Sequence, residues 1–549
     1  MGRKLIRSFS SWKEFLKRML SAKHSGTIII LLVFILKSLQ LIYLFDTRSD
    51  LSHQAWFAQS LTEGRSIGPA TVNSTDLSKI NYQTDIRWPP GYSIFMAPLL
   101  LIFQQDYIVA ALMLNLLAAF WLIIISRKIV TLFDLPAYLV NLFTIVSGLT
   151  LFYFQLKPST DALAVIFFLL AAYYALWILK YNKNVALHML GITAALLICI
   201  SLKYLYIPIA FAIPMALWYA ANKNRQALLK QLSIITSVFI AIVIAVLLFW
   251  QKANAGSFAY VQQTERGFFP ANLLAFHAYL PAAFLKPETL WIAFGSSSDA
   301  WQALSLIFQV VHWAAMILIL YVVLKHSGKN SANKNLFFKA TVLLLLATAI
   351  ITTFLASLSL YIAREHVHDG STWTYVQEAR YYGLLHVLIP VMIFAAYHLY
   401  NKHRIKNILL ILVLLLLPEM FRGLMFSFKR IINFQKETYG WQHELKFQQY
   451  TNGIIQQIQE QNKDFHIVLT GSSDWMTLRA VLYSRKPLLE DISIINHPES
   501  IQSAQPAILL VIMRHSDKPR FQPFIEKAKD QLIGNYLQFD YYAIPIAGR

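Results

Sequence analysis

The sequence is poor in cysteine and in charge. Its single cysteine, Cys199, lies within an apolar run, so the chain can form neither an intrachain disulfide nor a cysteine metal site. The redox compartment is left open. Charged residues make up 14% of the chain, with 28 acidic against 48 basic residues. So little charge in 549 residues excludes a chain built only of ordinary soluble domains.

Apolar residues dominate instead. They form 57% of the chain, and the mean hydropathy is +0.49. They fall into runs of about 18 to 25 residues, the length at which a helix crosses a hydrocarbon core of about 30 Å. The sequence predicts an α-helical polytopic membrane protein of about eleven spans. The predicted spans are residues 28–45, 108–126, 137–154, 162–179, 186–202, 204–219, 232–250, 301–324, 340–361, 382–400 and 408–425.

The basic residues indicate topology rather than a nucleic-acid partner. The net charge is +20, but its lysines and arginines concentrate in the amino-terminal tail and in alternate short loops. Because cytoplasmic loops carry the excess of Lys and Arg, the tail, residues 1–25, is predicted to be cytoplasmic and residues 26–427 to form the membrane domain. Threading the predicted spans alternately across the membrane from that tail places residues 46–92, 251–300, 364–381 and 428–549 on the extracytoplasmic side.

The first outward segment contains two aspartates at the exit of the first span. Asp46 and Asp50 precede an apolar pattern at helical spacing that Gly64 terminates. This pattern predicts an amphipathic helix at the lipid interface. One aspartate could cap this helix, and either could take a proton from an acceptor; Asp50 is favoured because it directly precedes the helix.

The same segment ends in Arg87 followed by Trp-Pro-Pro-Gly-Tyr. Two prolines hold the backbone extended, and the aromatic residues suit a membrane interface, so this element could be a simple anchor. Arg87 could instead bind a lipid phosphate, because its planar guanidinium matches two phosphate oxygens.

Further candidates lie in the other outward segments. His366 and His368 could bind a metal or belong to a solvated loop, and no metal site or cofactor is assigned. Arg380 opens a span, where a charge needs a partner such as Glu378; Tyr381 follows it. Lys203 should reach the outward face, either snorkelling to headgroups or binding substrate phosphate. Glu265 and Arg266 could shape a substrate lid or pair with each other.

The carboxyl-terminal region is different in character. Residues 466–470 and 507–513 have β-like patterns, and residues 475–483 and 521–532 have helical ones. A small extracytoplasmic α/β domain over residues 428–549 is predicted.

Four of these features together resemble the GT-C superfamily of membrane glycosyltransferases, notably its protein O-mannosyltransferase and aminoarabinose transferase branch. They are the acid after the first span, the helix ending in glycine, the basic-x-Pro-Pro element at Arg87 and the acid-x-Arg-Tyr element at Glu378. The resemblance implies a polyprenyl-phosphate sugar donor. It also implies that Asp50, or alternatively Asp46, is the base, and that Arg87 and Arg380 hold the donor phosphate.

The expected function is therefore transfer of a sugar, with inversion, to a lipid, glycan or protein at the outer face of a bacterial plasma membrane. Two alternatives stay open: a transporter or flippase of a lipid-linked or anionic substrate, and a non-catalytic envelope assembly protein. A transporter predicts charges buried within spans and helices broken near the midplane.

Overall fold

The structure, a computed structural model, describes most of the chain. The described residues are 24–44, 51–65, 68, 70–82, 89–104, 106–150, 155, 160–255, 268, 270, 317, 332–361, 379–400, 403–414, 417–433, 441–471, 484–489, 500–527, 532–536 and 539–549. They divide into two compact units. The membrane unit comprises residues 1–45, 112–252 and 257–433, and the mixed unit comprises residues 46–111, 253–256 and 434–549.

Helices, most of them apolar, build the membrane unit, and two helices that lie entirely within residues 46–111 belong to the mixed unit. In chain order the described helices are α1 (Ser25–Leu44), α2 (Leu51–Thr62), α3 (Gly91–Ile102), α4 (Tyr107–Thr131), α5 (Ala137–Leu149), α6 (Thr160–Tyr181), α7 (Val185–Leu202), α8 (Tyr206–Ile209), α9 (Ala212–Lys223), α10 (Ala227–Ala255), α11 (Ala332–Tyr361), α12 (Gly383–Leu399), α13 (His403–Leu414) and α14 (Leu417–Ile432). Six of them, α1, α4, α6, α7, α10 and α11, are long and apolar enough to cross a membrane. The chain is an integral membrane protein, as its hydropathy predicted.

One predicted span is interrupted. Residues 204–219 were expected to form one helix, but the structure has the short α8 followed by α9. Pro214 lacks an N–H, so the carbonyl of Ala210 four residues earlier receives no helical hydrogen bond from it. The predicted span 408–425 likewise falls on two helices, α13 and α14. Predicted span 301–324 lies outside the described residues except for Ile317, and the total of about eleven spans stays a prediction.

In the part of the chain that the structure describes, a seven-stranded sheet organises the mixed unit. Its strands are β1 (Ala70–Asn73), β2 (Asp76–Tyr82), β3 (His466–Gly471), β4 (Leu488–Leu489), β5 (Ala507–Arg514), β6 (Leu532–Tyr536) and β7 (Phe539–Ile546), in the spatial order β2-β1-β4-β3-β5-β7-β6. Two further helices, α15 (Trp441–Gln461) and α16 (Gln522–Lys527), belong to this unit.

The sheet joins two distant parts of the chain. β1 pairs in parallel with β4, with Thr71 opposite Leu488 and Val72 opposite Leu489. β3 pairs in parallel with β5, while β5–β7, β6–β7 and β1–β2 are antiparallel. The strands predicted at 466–470 and 507–513 are thus found, but the β1–β2 hairpin was not predicted. The helical prediction for 521–532 was wrong at its end, where Leu532 begins β6.

Strand β5, in the interior of this sheet, is covered on both faces. Seven of the eight residues of β5 are buried, which is typical of a strand with packing on each side. Leu509 and Val511 pack on one face with Phe521 and Ile544. On α15, Phe447 and Tyr450 lie with their ring centroids 6.5 Å and 5.5 Å from that of Tyr541 on β7.

The helix after the first span forms as predicted but is not amphipathic in its burial. α2 ends at Thr62, and Gly64 follows with φ of +65°, a left-handed conformation that glycine adopts at helix ends. Nine of the twelve residues of α2 are buried, polar and apolar alike. The expected helix at the lipid interface is therefore a helix packed inside the protein.

Candidate functional site

The predicted site residue Lys203 is buried in the membrane unit and forms an ion pair with Asp161. Its backbone is extended and directly follows α7, and its Nζ donates to Oδ1 of Asp161. The side chains are 5% and 2% exposed respectively. Since an isolated buried charge is costly, each residue needs the other.

Asp161 sits in the first turn of α6. The amino terminus of a helix carries a partial positive charge, which favours a carboxylate at that place. The structure pairs Asp161 with Lys203. Asp161 is the participant that the sequence did not single out. The available signal was Lys203 itself, a cation between two spans that required an acid on the same side.

Tyr381 completes this cluster from a third element. It lies in a 3₁₀ helix, Ala379–Tyr382, immediately before α12. The Nζ of Lys203 is 4.5 Å from the centroid of the Tyr381 ring, within the range of a cation–π interaction. Two predicted site residues, Lys203 and Tyr381, are therefore in contact although they are far apart in the sequence. We call Asp161, Lys203 and Tyr381 the buried charge cluster.

The same end of the membrane unit contains other buried polar contacts. Lys37 of α1 donates to the carbonyl of Thr150 at 2.7 Å, just past the end of α5. Gln40 donates to the carbonyl of Leu149 at 3.1 Å. The terminal carbonyls of a helix have no intrahelical partner, and these two side chains satisfy them.

Helix direction explains why these contacts share one end. α5 ends beside Thr150, α6 begins at Thr160, α7 ends before Lys203 and α12 begins after Tyr382. Asn115 near the start of α4 adds a hydrogen bond to the carbonyl of Gln155 at 2.9 Å. We call this the polar end of the membrane unit.

Basic residues gather at the opposite end. Lys180 at the end of α6 donates to Oδ1 of Asp134 at 2.6 Å and to the carbonyl of Leu132 at 2.7 Å. Lys223 at the end of α9 lies 5.2 Å from the ring centroid of Phe338. The described basic loops thus meet at one end, as the threading predicted. That this end faces the cytoplasm remains a prediction.

Within the mixed unit, α2 and α3 carry several buried polar groups. The hydroxyl of Ser93 lies 2.8 Å from Oε1 of Gln54 and 2.9 Å from its carbonyl oxygen. Among the described residues, Gln54 Nε2, Trp56 Nε1 and the Tyr92 hydroxyl are buried with no hydrogen-bond partner. Buried polar atoms in this state require a partner from water, from other residues or from a bound molecule.

Most of the predicted site residues lie outside the described residues. They are Asp46, Asp50, Arg87, Glu265, Arg266, His366, His368 and Glu378. Asp50 directly precedes α2, and Arg87 lies four residues before the start of α3. The backbone of Arg380 lies in the same 3₁₀ helix as Tyr381. No group of three metal-binding side chains occurs in the part of the chain that the structure describes.

Comparison with solved structures identifies the fold. No protein-family model and no curated protein sequence matches the chain. A solved structure does match and shows the fold of this chain, which is the fold that the motif resemblance led us to expect. The apo structure of ArnT from Cupriavidus metallidurans matches with a TM-score of 0.53 at 12% identity, covering 94% of this chain and 97% of that one.

Two further matches are with ligand-bound structures. ArnT from the same organism bound to undecaprenyl phosphate matches with a TM-score of 0.48 at 12% identity, over 95% of this chain and 98% of that one. The archaeal oligosaccharyltransferase AglB from Archaeoglobus fulgidus, in complex with an inhibitory peptide and a dolichol-phosphate, matches with a TM-score of 0.48 at 8% identity. That match covers 90% of this chain and 70% of AglB.

Proposed function

We propose that this protein is a membrane glycosyltransferase that moves a sugar from a polyprenyl-phosphate donor to a lipid, glycan or protein acceptor. The proposal places the reaction at the extracytoplasmic face of a bacterial plasma membrane. The fold shared with ArnT supports it, because that protein has also been solved with undecaprenyl phosphate bound. The observation that carries the proposal to this chain is the buried charge cluster, whose Tyr381 directly follows Arg380 in the sequence.

The proposed reaction needs a base and a group that stabilises the leaving phosphate. The acceptor's hydroxyl or amine attacks the anomeric carbon, its proton passes to a carboxylate, and the bond from that carbon to the phosphate oxygen breaks. The polyprenyl phosphate leaves with the electron pair, and attack from the opposite face inverts the anomeric carbon. Asp50 is the proposed base, with Asp46 as the alternative. Arg87 and Arg380 are the proposed phosphate ligands.

In this proposal the buried charge cluster positions Arg380. Lys203 is held by Asp161, and its ammonium in turn faces the ring of Tyr381, the residue after Arg380. Tyr382, the next residue, is 1% exposed and anchors the same 3₁₀ helix. These restraints on Tyr381 and Tyr382 limit the freedom of the backbone that carries the arginine. Direct binding of phosphate by Lys203 remains the alternative role for this residue.

The buried polar atoms of α2 and α3 support a binding role for that pair of helices. Gln54 Nε2 and Trp56 Nε1 are donors, and the Tyr92 hydroxyl can donate or accept. A sugar carries several hydroxyls that match such groups. In sequence these two helices follow Asp50 and Arg87.

A transporter or flippase is the second candidate, and two observations favour it. Lys37 is 1% exposed within the span α1, and the predicted sixth span is interrupted between α8 and α9. Buried charges and interrupted helices are typical of transport pathways. A transporter would move the lipid-linked sugar across the membrane without breaking its bond to phosphate.

One assay separates these functions. Inverted and right-side-out vesicles containing the full chain are given polyprenyl-phosphate sugars labelled in the sugar, and both transfer to acceptors and movement of intact donor are measured. Wild type is compared at equal expression with Asp50→Asn, Asp46→Asn, Arg87→Gln and Arg380→Gln. Asp134→Asn serves as the control, because it removes a carboxylate that is 56% exposed at the opposite end of the membrane unit.

Transfer that is abolished by one aspartate variant and kept by the other identifies the base. Transfer that survives in both variants leaves a glycosyltransferase but rejects this assignment of the base. Movement of intact donor without transfer, for every donor tried, replaces the proposal with the transporter function.

A further inference from the structure

A groove opens on the surface of the membrane unit between α9, α10 and α11. Its volume is about 490 Å³, and its walls include Trp218, Tyr219, Val238, Val342 and Leu346. The wall residues Trp218 and Val238 are 42% and 53% exposed, so the groove is accessible from the surface.

The floor of the groove offers little to a polar ligand. Ser233 and Ser237 of α10 line it, but each hydroxyl donates to a carbonyl of its own helix, Leu229 at 2.7 Å and Ser233 at 3.0 Å. This back-bonding uses the hydroxyl hydrogen within the helix. The groove therefore suits a hydrocarbon chain rather than a sugar or a nucleotide.

Three lysines lie about one helical turn beyond one end of the groove, one on each of its helices. Lys223 is four residues after Tyr219, Lys230 three before Ser233 and Lys339 three before Val342. At a rise of 1.5 Å per residue they lie about 5 Å past the groove along their helices.

The lysines are close to one another and to the groove wall. The Nζ of Lys230 is 6.0 Å from the ring centroid of Trp218 and donates to Oδ1 of Asn222 at 3.3 Å, next to Lys223. The Nζ of Lys223 is 5.2 Å from the ring centroid of Phe338, the residue before Lys339. Positive charge is thus concentrated at one end of an apolar groove.

We propose that the groove and these three lysines bind one anionic phospholipid. Its acyl chains would lie against Trp218, Val238 and Leu346, and its phosphate would meet Lys223, Lys230 and Lys339. Apolar walls with a cationic end match the two parts of such a lipid, and a zwitterionic lipid of the same chain length would gain less from the lysines. This site lies at the basic end of the membrane unit, away from the buried charge cluster, and does not depend on the proposed transferase activity.

Native mass spectrometry of the purified full chain tests the site. The delipidated protein is titrated with phosphatidylglycerol or with phosphatidylcholine of identical acyl chains, and bound lipid is counted. Wild type should bind one phosphatidylglycerol in preference to phosphatidylcholine. Removing two lysines, as in Lys223→Gln/Lys230→Gln, should lower the phosphatidylglycerol affinity about tenfold or more and leave phosphatidylcholine binding unchanged.

Two further variants make the result specific. Lys128→Gln/Lys183→Gln removes the same charge from the same end but away from the groove, and should keep the preference. Ser237→Phe fills the groove with all three lysines intact, and should lose the bound phosphatidylglycerol. Equal binding of both lipids by wild type, or a preference that survives Lys223→Gln/Lys230→Gln and Ser237→Phe, overturns the proposal.

Discussion

Lys203 donates a hydrogen bond to Asp161 where both side chains are almost entirely buried, and the two residues belong to different helical segments of the membrane unit. Lys203 follows the last residue of α7, and Asp161 lies in the first turn of α6. The pair thus fixes two helix ends against each other. The pair also holds the Lys203 ammonium against the ring of Tyr381. This contact connects a third element, the 3₁₀ helix before α12, to the ends of α6 and α7.

The stability of this pair should be strongly non-additive. Asp161→Leu or Lys203→Met alone leaves one buried charge without its partner and should cost about 3–5 kcal/mol of unfolding free energy. The double variant Asp161→Leu/Lys203→Met removes both charges and should be much closer to wild type. Unfolding of the purified chain in detergent gives the unfolding free energies of wild type, the two single variants and the double variant. Costs of the two single variants that simply add in the double variant would contradict a buried pair.

The pair of Lys180 with Asp134 is the matched comparison. It has similar chemistry, but Asp134 is 56% exposed, so solvent screens the interaction. Asp134→Asn should therefore cost no more than about 1 kcal/mol in the same unfolding measurement. A loss as large as that of Asp161→Leu would show that burial does not explain the difference.

Tyr381 should act through its ring rather than its hydroxyl. Tyr381→Phe keeps a ring facing the Lys203 ammonium, whereas Tyr381→Leu loses an interaction of about 0.5–2 kcal/mol. If the ring positions Arg380, initial rates of sugar transfer should fall about twofold to thirtyfold in the leucine variant and much less in the phenylalanine variant. Equal losses of the transfer rate in both variants would show that the Tyr381 hydroxyl, rather than the ring, is required.

Two glycines within helices should respond in opposite directions to substitution by alanine. A Cβ at Gly148 of α5 would overlap Cγ1 of Val33 on α1, where these helices pack. Gly148→Ala should destabilise the protein by about 1–3 kcal/mol. Gly453 of α15 has open space, so Gly453→Ala should stabilise by about 0.5–1 kcal/mol through the helix propensity of alanine. Unfolding midpoints compare the two, and a neutral Gly148→Ala would contradict close packing of α1 on α5.

Asp76 should make the β1–β2 hairpin sensitive to acid. The Ser78 hydroxyl above all, and then the N–H of Ala504, lower the pKa of this carboxyl from 3.8 to about 2. Because the folded pKa is depressed, the stabilisation is complete above the ordinary pKa and is lost as pH falls from about 4 towards 2. Hydrogen exchange of residues 70–82 and 500–505, corrected for intrinsic rates, should show protection falling over this range.

Asp76→Asn provides the control for that measurement. It removes the titrating group, so the hairpin should be less protected at pH 5 and should lack the acid transition. Strand β3, which Asp76 does not contact, should behave alike in both proteins. The same acid transition in wild type and Asp76→Asn would assign it to another group.

Local pattern in the sequence determined much of the fold. Runs of apolar residues predicted the spans, because a helix that meets lipid must be apolar along its whole length. The positions of basic residues predicted which loops share an end, and short apolar runs predicted β3 and β5. Gly64 marked the end of α2, because the conformation there suits glycine.

Tertiary structure decided what depends on residues far apart in the chain. The sequence left Lys203 either snorkelling to headgroups or binding phosphate, and only the packing of α6 against α7 showed its pairing with Asp161. The β1–β2 hairpin lay within a polar segment and was missed, since β1 pairs with β4 from the distant carboxyl-terminal region. Hydropathy and spacing depend only on residues that are close to one another in the sequence. Ion pairs, strand partners and the burial of α2 depend instead on which segments meet after folding.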